Sequence, residues 1–321
     1  MIEKTERYQN EIARVIANIN HVIVGKEKEA VLSLVALLAQ GHVLLEDVPG
    51  VGKTMLVRAL AASLDCDLRR IQFTPDLLPS DVTGVSIYNP KTLEFEFRSG
   101  PILGNIVLAD EINRTSPKTQ SALLEGMAEN RVTVDGQTLP LKRPFFVMAT
   151  QNPIEYEGTY SLPEAQLDRF LLKMTMGYPS ADEEMQMLDL TAEHHPIDSL
   201  SPVLTQADLV HLQEEVNEVY IDRTIKQYII NLVNNTRDDQ FVYLGVSPRG
   251  SIALMKAAKA YAYIYGRDYV LPDDVKYLAP FVLAHRLILN AEAAYDGWTP
   301  EQVVDAIVAH SDIPIQKGFQ S

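Results

Sequence analysis

Ile12, Val15, Ile16 and Ile19 recur at helical spacing, so the chain opens with an amphipathic helix that ends near His21. A second helix over residues 26–40 leads through Gly41 into Val43-Leu44-Leu45, a continuous apolar run of strand length. Residues 68–73 have the mixed polar and apolar character of a second strand, and apolar runs return at 105–110, 145–150 and 171–176, which makes five strands separated by helical or turn-rich stretches. Strands alternating with helices pack as a parallel sheet between two helical layers. Two stretches follow another rule. Residues 85–88 and 93–98 flank Asn89-Pro90-Lys91-Thr92, and the second arm sets Leu93, Phe95 and Phe97 against Glu94, Glu96 and Arg98, as in a hairpin. After a helix that starts at Ser116-Pro117, residues 131–134 and 137–141 close around Asp135-Gly136, a type I′ turn signal. Beyond Tyr178-Pro179-Ser180 the pattern is helical only, over about 182–194, 206–218, 222–236, 248–265 and 272–289. The reading is an α/β core over 1–179 with hairpin insertions at 85–98 and 131–143, followed by an all-helical domain over 180–321.

The strand at Val43 breaks into Glu46-Asp47-Val48-Pro49-Gly50-Val51-Gly52-Lys53-Thr54 and resumes as a helix with Met55, Leu56, Ala59 and Leu60. Strand, glycine-rich loop and helix are the parts of a phosphate loop. Its backbone N–H groups surround a polyphosphate, and the positive end of the helix faces the same anion. Lys53 would reach the β and γ phosphates of ATP, and the Thr54 hydroxyl would ligate Mg2+. Asp47 stands where the motif G-x-x-x-x-G-K-[ST] has its first glycine; Asp tolerates a left-handed turn better than most residues. Its carboxylate is expected to point away from the phosphates and to cap a nearby backbone N–H. Upstream, the apolar Val22-Ile23-Val24 before Gly25 reads either as a cover for the adenine ring or as an ordinary entry into the core. The candidate nucleotide-binding set is therefore Val24, Gly25 and residues 47–55.

Four further residues carry chemistry that a bound nucleotide needs. The strand Asn105–Asp110 ends in Asp110-Glu111. Asp110 would hold Mg2+, and Glu111 would polarise the water that attacks the γ-phosphate. Asn152 ends the next apolar strand, where ligands of a parallel sheet gather; its amide could orient that water, or it could serve only the turn before Pro153. Arg249, in the first turn of a helix begun by Ser247-Pro248, calls for an anion nearby or else for solvent. Arg169, just before the fifth strand, has no assignment from chemistry alone. Adjacent His194 and His195 cannot face one metal site on a helix.

Composition narrows the function classes. The longest apolar region, residues 30–45, is interrupted by Ser33, Gln40 and His42 and cannot span a bilayer. The N-terminus shows no signal-peptide core, and a single cysteine, Cys66, leaves no internal disulfide; a cytoplasmic home is expected. The formal net charge of −15 argues against nucleic acid as the general partner.

The phosphate loop, strand–Asp-Glu, strand–Asn and helix-start Arg, in this order and with a helical second domain, resemble an AAA+ ATPase. More narrowly, Ala109-Asp110-Glu111-Ile112-Asn113-Arg114, Ala149-Thr150-Gln151-Asn152-Pro153, Leu162–Phe170 and Ser247-Pro248-Arg249 are similar to the MoxR family, as is Glu46–Thr54 with its Asp47. The resemblance spans residues 22–289. It implies a P-loop three-layer αβα core with a helical lid, and a homo-oligomeric ring, usually a hexamer, with ATP at each subunit boundary. It also implies Arg169 as the finger that reaches a neighbour's γ-phosphate, Arg114 as a second intersubunit candidate, Asn152 as the sensor of the fourth core strand and Arg249 as the sensor of the lid. The hairpins match insertions that face the ring's pore. Protein clients, often with von Willebrand factor A-domain companions, and chaperone-like activation of complexes, sometimes with metal-cofactor insertion, complete the implied picture. Two alternatives stand beside it: a motor acting on nucleic acid, and a nucleotide-gated scaffold with little turnover.

Overall fold

The computed structural model describes residues 2–48, 50–153, 160–191 and 196–313. Pro49 of the candidate loop and the His194-His195 pair lie outside the described residues.

The chain begins with α1 (Ile2–Val22) and α2 (Glu27–Leu38), then β1 (Val43–Glu46), α3 (Lys53–Ser63) and β2 (Leu68–Gln72). A short α4 (Pro79–Thr83) precedes the first hairpin, β3 (Gly84–Asn89) and β4 (Glu94–Ser99), and β5 (Ile106–Asp110) returns to the sheet. Next come α5 (Pro117–Glu129), the second hairpin β6 (Arg131–Val134) and β7 (Gln137–Pro140), then β8 (Phe146–Gln151), α6 (Glu164–Leu167) and β9 (Leu172–Met174). The five core strands lie in the order β2-β5-β8-β1-β9, all parallel. β1 therefore emerges between β8 and β9, at the place where successive connections leave in opposite directions, and its carboxyl end is the crevice of the sheet. The register aligns Glu46 with Gln151 and Gln72 with Asp110, so the motif-bearing ends of four strands finish side by side.

Burial explains the layers. Ile12, Val15 and Ile19 of α1 turn inward, and α2 is enclosed along nearly its whole length because α1, α8 and α10 pack around it. One apolar core joins α1, α2 and α3 to one face of the sheet and continues into the C-terminal helices; a second core fills the other face beneath α4, α5 and the base of the second hairpin. The AAA+ fold expected from the resemblance, with its parallel five-stranded sheet and helical lid, is what forms. All six β4 residues are exposed, so the alternation in this hairpin does not mark a core-facing side.

After β9 the described chain carries α7 (Ala181–Thr191), α8 (Gln206–Glu218), α9 (Arg223–Asp238), β10 (Val242–Leu244), α10 (Pro248–Ile264), α11 (Pro272–Leu283), β11 (Ile288–Leu289), α12 (Ala291–Tyr295) and α13 (Pro300–His310). A purely helical C-terminal half is thus corrected: β10 and β11 pair antiparallel, and the helix expected to run to 289 stops at Leu283. Ala284–Arg286 tightens into a 3-10 turn that carries the Arg286 guanidinium inward, where its Nη2 donates to the Phe170 carbonyl at 2.7 Å. Short apolar runs such as Ile288-Leu289 fit helix and strand equally well by periodicity. α13 lies beyond the helices expected from the sequence; it is begun by Thr299-Pro300-Glu301-Gln302, where Thr299 Oγ1 accepts from Gln302 N at 3.3 Å while Pro300 takes the first helical position.

Candidate nucleotide-binding site

The loop after β1 is shaped by two glycines in left-handed conformation, Gly50 at φ 88° and Gly52 at φ 92°. Gly52 caps α3, which starts at Lys53 and aims its free N–H groups into the loop. Asp47 is not among the positive-φ residues, so the expectation that it takes a left-handed turn is replaced by another role. Its carboxylate is buried, and Oδ2 accepts from the backbone N–H groups of Met176 at 2.6 Å and Gly177 at 2.7 Å, while Oδ1 accepts from Val48 N at 2.8 Å. The acid therefore ties the loop to the chain just past β9 and faces away from the phosphate side. The Asp47 carbonyl accepts from Lys53 Nζ at 2.8 Å. Burial lowers the Lys53 pKa, and the carboxylates of Asp47, Asp110 and Glu111 pull it the other way.

Gly50, Gly52, Lys53, Thr54, Met55, Asp110, Glu111 and Asn152 line one cleft of about 340 Å³. Three strand ends thus contribute to one concavity. A Cβ at Gly50 would meet nothing within 4 Å, so this part of the loop borders open space. Thr54 and Asp110 bring a hydroxyl and a carboxylate into the cleft, hard oxygen donors that suit Mg2+ supported mainly by phosphate and water. Among the described residues, no group of three or more His, Cys, Asp or Glu could hold a metal by itself.

The acidic pair is held by residues the sequence did not single out. Thr150 Oγ1 donates to Asp110 Oδ1 at 2.7 Å and accepts from Glu111 N at 2.8 Å. Arg70 Nη2 donates to Asp110 Oδ2 at 2.6 Å and to Gln72 Oε1 at 2.7 Å, and Gln72 Nε2 donates to Glu111 Oε2 at 2.8 Å. Glu111 itself is left-handed, at φ 58°, an uncommon conformation for a non-glycine residue that marks positions held by their surroundings. Arg114 Nε stands 3.4 Å from Glu111 Oε2 of the same chain. The only sequence hint for Thr150 and Gln72 was a polar residue near the end of a strand.

Beside the cleft, Val22, Ile23, Val24, Val51 and Met55 line an apolar pocket of about 110 Å³ that Pro179 and Met187 close from the far side. Gly25 lies at its edge with φ 72°, and a Cβ there would come within 1.6 Å of the Glu183 carboxylate. Arg169 and Arg249 do not line the phosphate cleft. Arg169 Nη1 donates to the Leu124 carbonyl of α5 at 2.5 Å. Arg249, whose side chain is 76% exposed, stands 3.7 Å from Asp168 Oδ2, and the other oxygen of Asp168 accepts from the buried Arg286 at 2.8 Å. Asp168 thus stands between Arg249 and Arg286, while Arg169 turns to α5, and neither Arg169 nor Arg249 lines its own chain's cleft.

Comparison with known proteins agrees with this arrangement. Residues 42–172 match the model of the ATPase family associated with various cellular activities (AAA), and residues 234–307 match the AAA lid domain. The chain is 64% identical over 306 residues to YeaC of Bacillus subtilis, covering 95% of this chain and 96% of that one. It is 42% identical over 312 residues to Chaperone MoxR1 of Mycobacterium tuberculosis, covering 94% and 82%. A crystal structure from Cytophaga hutchinsonii, assigned as an ATPase, superposes with a TM-score of 0.91 at 41% identity over 97% of each chain. With a phosphate loop, an acidic strand end and a lid in the order and geometry of these relatives, the chain belongs to the MoxR family of AAA+ ATPases.

Proposed function

We propose that the chain hydrolyses Mg2+-ATP within a homo-oligomeric ring, a hexamer by analogy, and uses the cycle to remodel or activate protein complexes in the cytoplasm. The observation that carries this reading is the convergence of Lys53, Thr54, Asp110, Glu111 and Asn152 on one cleft. When bound, Mg2+-ATP supplies the γ-phosphoryl group and the cation that neutralises its oxygens. The loop N–H groups and Lys53 hold the phosphates; Thr54 and Asp110 hold the metal; the apolar pocket beside Val24 takes the base. Glu111 orients the attacking water and accepts its proton, once Gln72 and Arg114 release the carboxylate. Asn152 positions the same water from the end of β8.

Arg169 serves a neighbour in this scheme, since it lies away from its own cleft. Arg249 accompanies it, and Arg114, turned toward its own Glu111, is assigned to the acid rather than to a neighbour. A von Willebrand factor A-domain protein is the expected companion, and delivery of a metal cofactor is one form the remodelling can take. The name Chaperone MoxR1 on a relative is in keeping with a protein client. Phosphate release measured with and without Mg2+, for the wild type and for Glu111→Gln, tests the enzymatic reading; loss of a general base costs about 10²–10⁴ in rate, and an unchanged rate would remove Glu111 from the role. Strong, salt-sensitive stimulation by single- or double-stranded nucleic acid would overturn the protein-client reading.

A further inference from the structure

A second concavity lies away from the phosphate cleft. A groove of about 870 Å³ runs along β2, walled by Phe97 of the first hairpin, Leu103, and Leu139 and Pro140 of the second. β2 is the edge strand of the sheet and pairs only with β5 among the described residues. The Asp67 carbonyl accepts from Ile106 N, and Phe73 N donates to the Asp110 carbonyl, so the odd-numbered residues face β5. By the alternation of a strand, the main-chain N–H and C=O groups of Leu68, Arg70 and Gln72 face away from the sheet. Such an edge is a template for one more strand.

The charge of the groove is opposite to that of the molecule. Arg69, Arg70 and Lys142 line it with one carboxylate, Asp67, in a chain of formal net charge −15. Asp67 is shared, 3.1 Å from Arg69 and 3.8 Å from Lys142. Arg70 lines the groove, and its guanidinium lies 2.6 Å from Asp110 of the phosphate cleft.

We propose that this groove takes an extended acidic segment of a protein client, paired along the open edge of β2, and that Arg70 couples its arrival to Asp110. The inference deepens the reading of the chain as an ATPase with protein clients and rests on it. On the face of the sheet that Arg69 shares with Leu103 and Leu139, apolar side chains of the segment rest on those leucines and on Phe97 while its carboxylates pair with Arg69 and Lys142. Arg70 projects from the opposite face of β2, and a client carboxylate on that face that draws it would free Oδ2 of Asp110 to hold the metal, so occupancy of the groove raises turnover. A polynucleotide fits less well, because the hairpin that supplies Phe97 also exposes Glu94 and Glu96 and because a sugar-phosphate chain cannot complete a β ladder.

The test uses the full chain and fluorescein-labelled synthetic peptides of repeating Glu-Glu-Val-Val, which set acids and apolar residues on both faces of a strand, the same peptide with Lys for Glu, and the acidic peptide with alternate amides N-methylated. Anisotropy reads binding without hydrolysis. The acidic peptide should bind at least about tenfold more tightly than the other two, a difference of about 1.4 kcal/mol. The double charge reversal Arg69→Glu/Lys142→Glu should lose that margin while its thermal midpoint and peptide-free ATPase rate stay unchanged. Saturating peptide should raise the wild-type rate severalfold and leave the rate of Arg70→Gln unaltered, although that variant still binds. Equal binding of the basic peptide, indifference to the charge reversal, or tighter binding of single-stranded DNA lost by the same reversal would overturn the groove assignment. Equal affinity for the N-methylated peptide would overturn the strand pairing, and full stimulation of Arg70→Gln would overturn the coupling. Peptide binding by a wild type that hydrolyses no ATP would instead sink the enzymatic reading, and the coupling with it, leaving the groove standing.

Discussion

Asp47 Oδ2 accepts the backbone N–H of Met176 at 2.6 Å, which fastens the phosphate loop after β1 to the segment that follows the neighbouring strand β9. A glycine at this position would leave the N–H groups of Met176 and Gly177 without that acceptor. Asp47→Ala should therefore destabilise the fold by about 1–3 kcal/mol, the usual cost of stranding buried donors, and weaken nucleotide binding by loosening the loop. Thermal denaturation and titration with a fluorescent ATP analogue check both. Unchanged values in both would show that the contact holds nothing in place.

Thr150→Val preserves shape and removes the hydroxyl that joins Asp110 Oδ1 to Glu111 N. The two acids lose their common anchor, so Mg2+ dependence should shift to higher metal concentration and turnover should fall about tenfold, equivalent to about 1.4 kcal/mol. A Mg2+ titration of the ATPase rate, with nucleotide binding followed separately, is the measurement. Thr150→Ser, which keeps the hydroxyl, should recover most of the loss.

Mixing Arg169→Ala subunits with Lys53→Ala subunits should restore part of the activity that each variant lacks alone. A competent loop in one subunit then meets a competent arginine from the next. Intersubunit arginines of this kind are worth about 10³–10⁵ in turnover. Failure to complement while the assemblies remain intact by light scattering would return Arg169 to its own chain, against Leu124.

His42 gives a pH dependence with a defined sign. It is buried, its Nδ1 accepts from Val147 N at 3.1 Å, its Nε2 lies 3.3 Å from the Met127 carbonyl, and burial lowers its pKa from 6.5 to about 4. The unfolded chain binds a proton here at higher pH than the native one, so the contribution is complete above pH 6.5 and is lost as pH falls through about 4. The slope within that window is about 1.4 kcal/mol per pH unit. Chemical denaturation at pH 7 and pH 5 should show a smaller pH-linked loss for His42→Gln than for the wild type. Equal losses would rule the imidazole out.

The contiguous parts of the site were legible because phosphate chemistry demands neighbours in sequence. A strand, a glycine-rich turn and Lys53-Thr54 at a helix start have to follow one another, and Asp110-Glu111 have to end an apolar strand. The helical period of Ile12, Val15 and Ile19 and the short apolar runs of the sheet were equally direct, since burial on one side or on both dictates them. The β10–β11 pair escaped because an apolar run of two or three residues fits either period, and α13 because its capping signal lies beyond the last strong apolar stretch.

Residues that act on the site from a distance in sequence were not legible. Gln72, Arg70 and Thr150 reach the acids only because β5 is laid between β2 and β8, an order that no spacing along the chain encodes. The same holds for Arg114, which the structure turns toward Glu111, and for Asp168, which comes to stand between Arg249 and Arg286. By itself the sequence determined the elements and the contiguous chemistry of the loop and of the acidic strand end, because local sterics, burial and phosphate binding act between near neighbours. Only the tertiary structure decided which donors hold those acids, where the Asp47 carboxylate points and which arginines lie away from the cleft, because these follow from the order in which the strands hydrogen-bond.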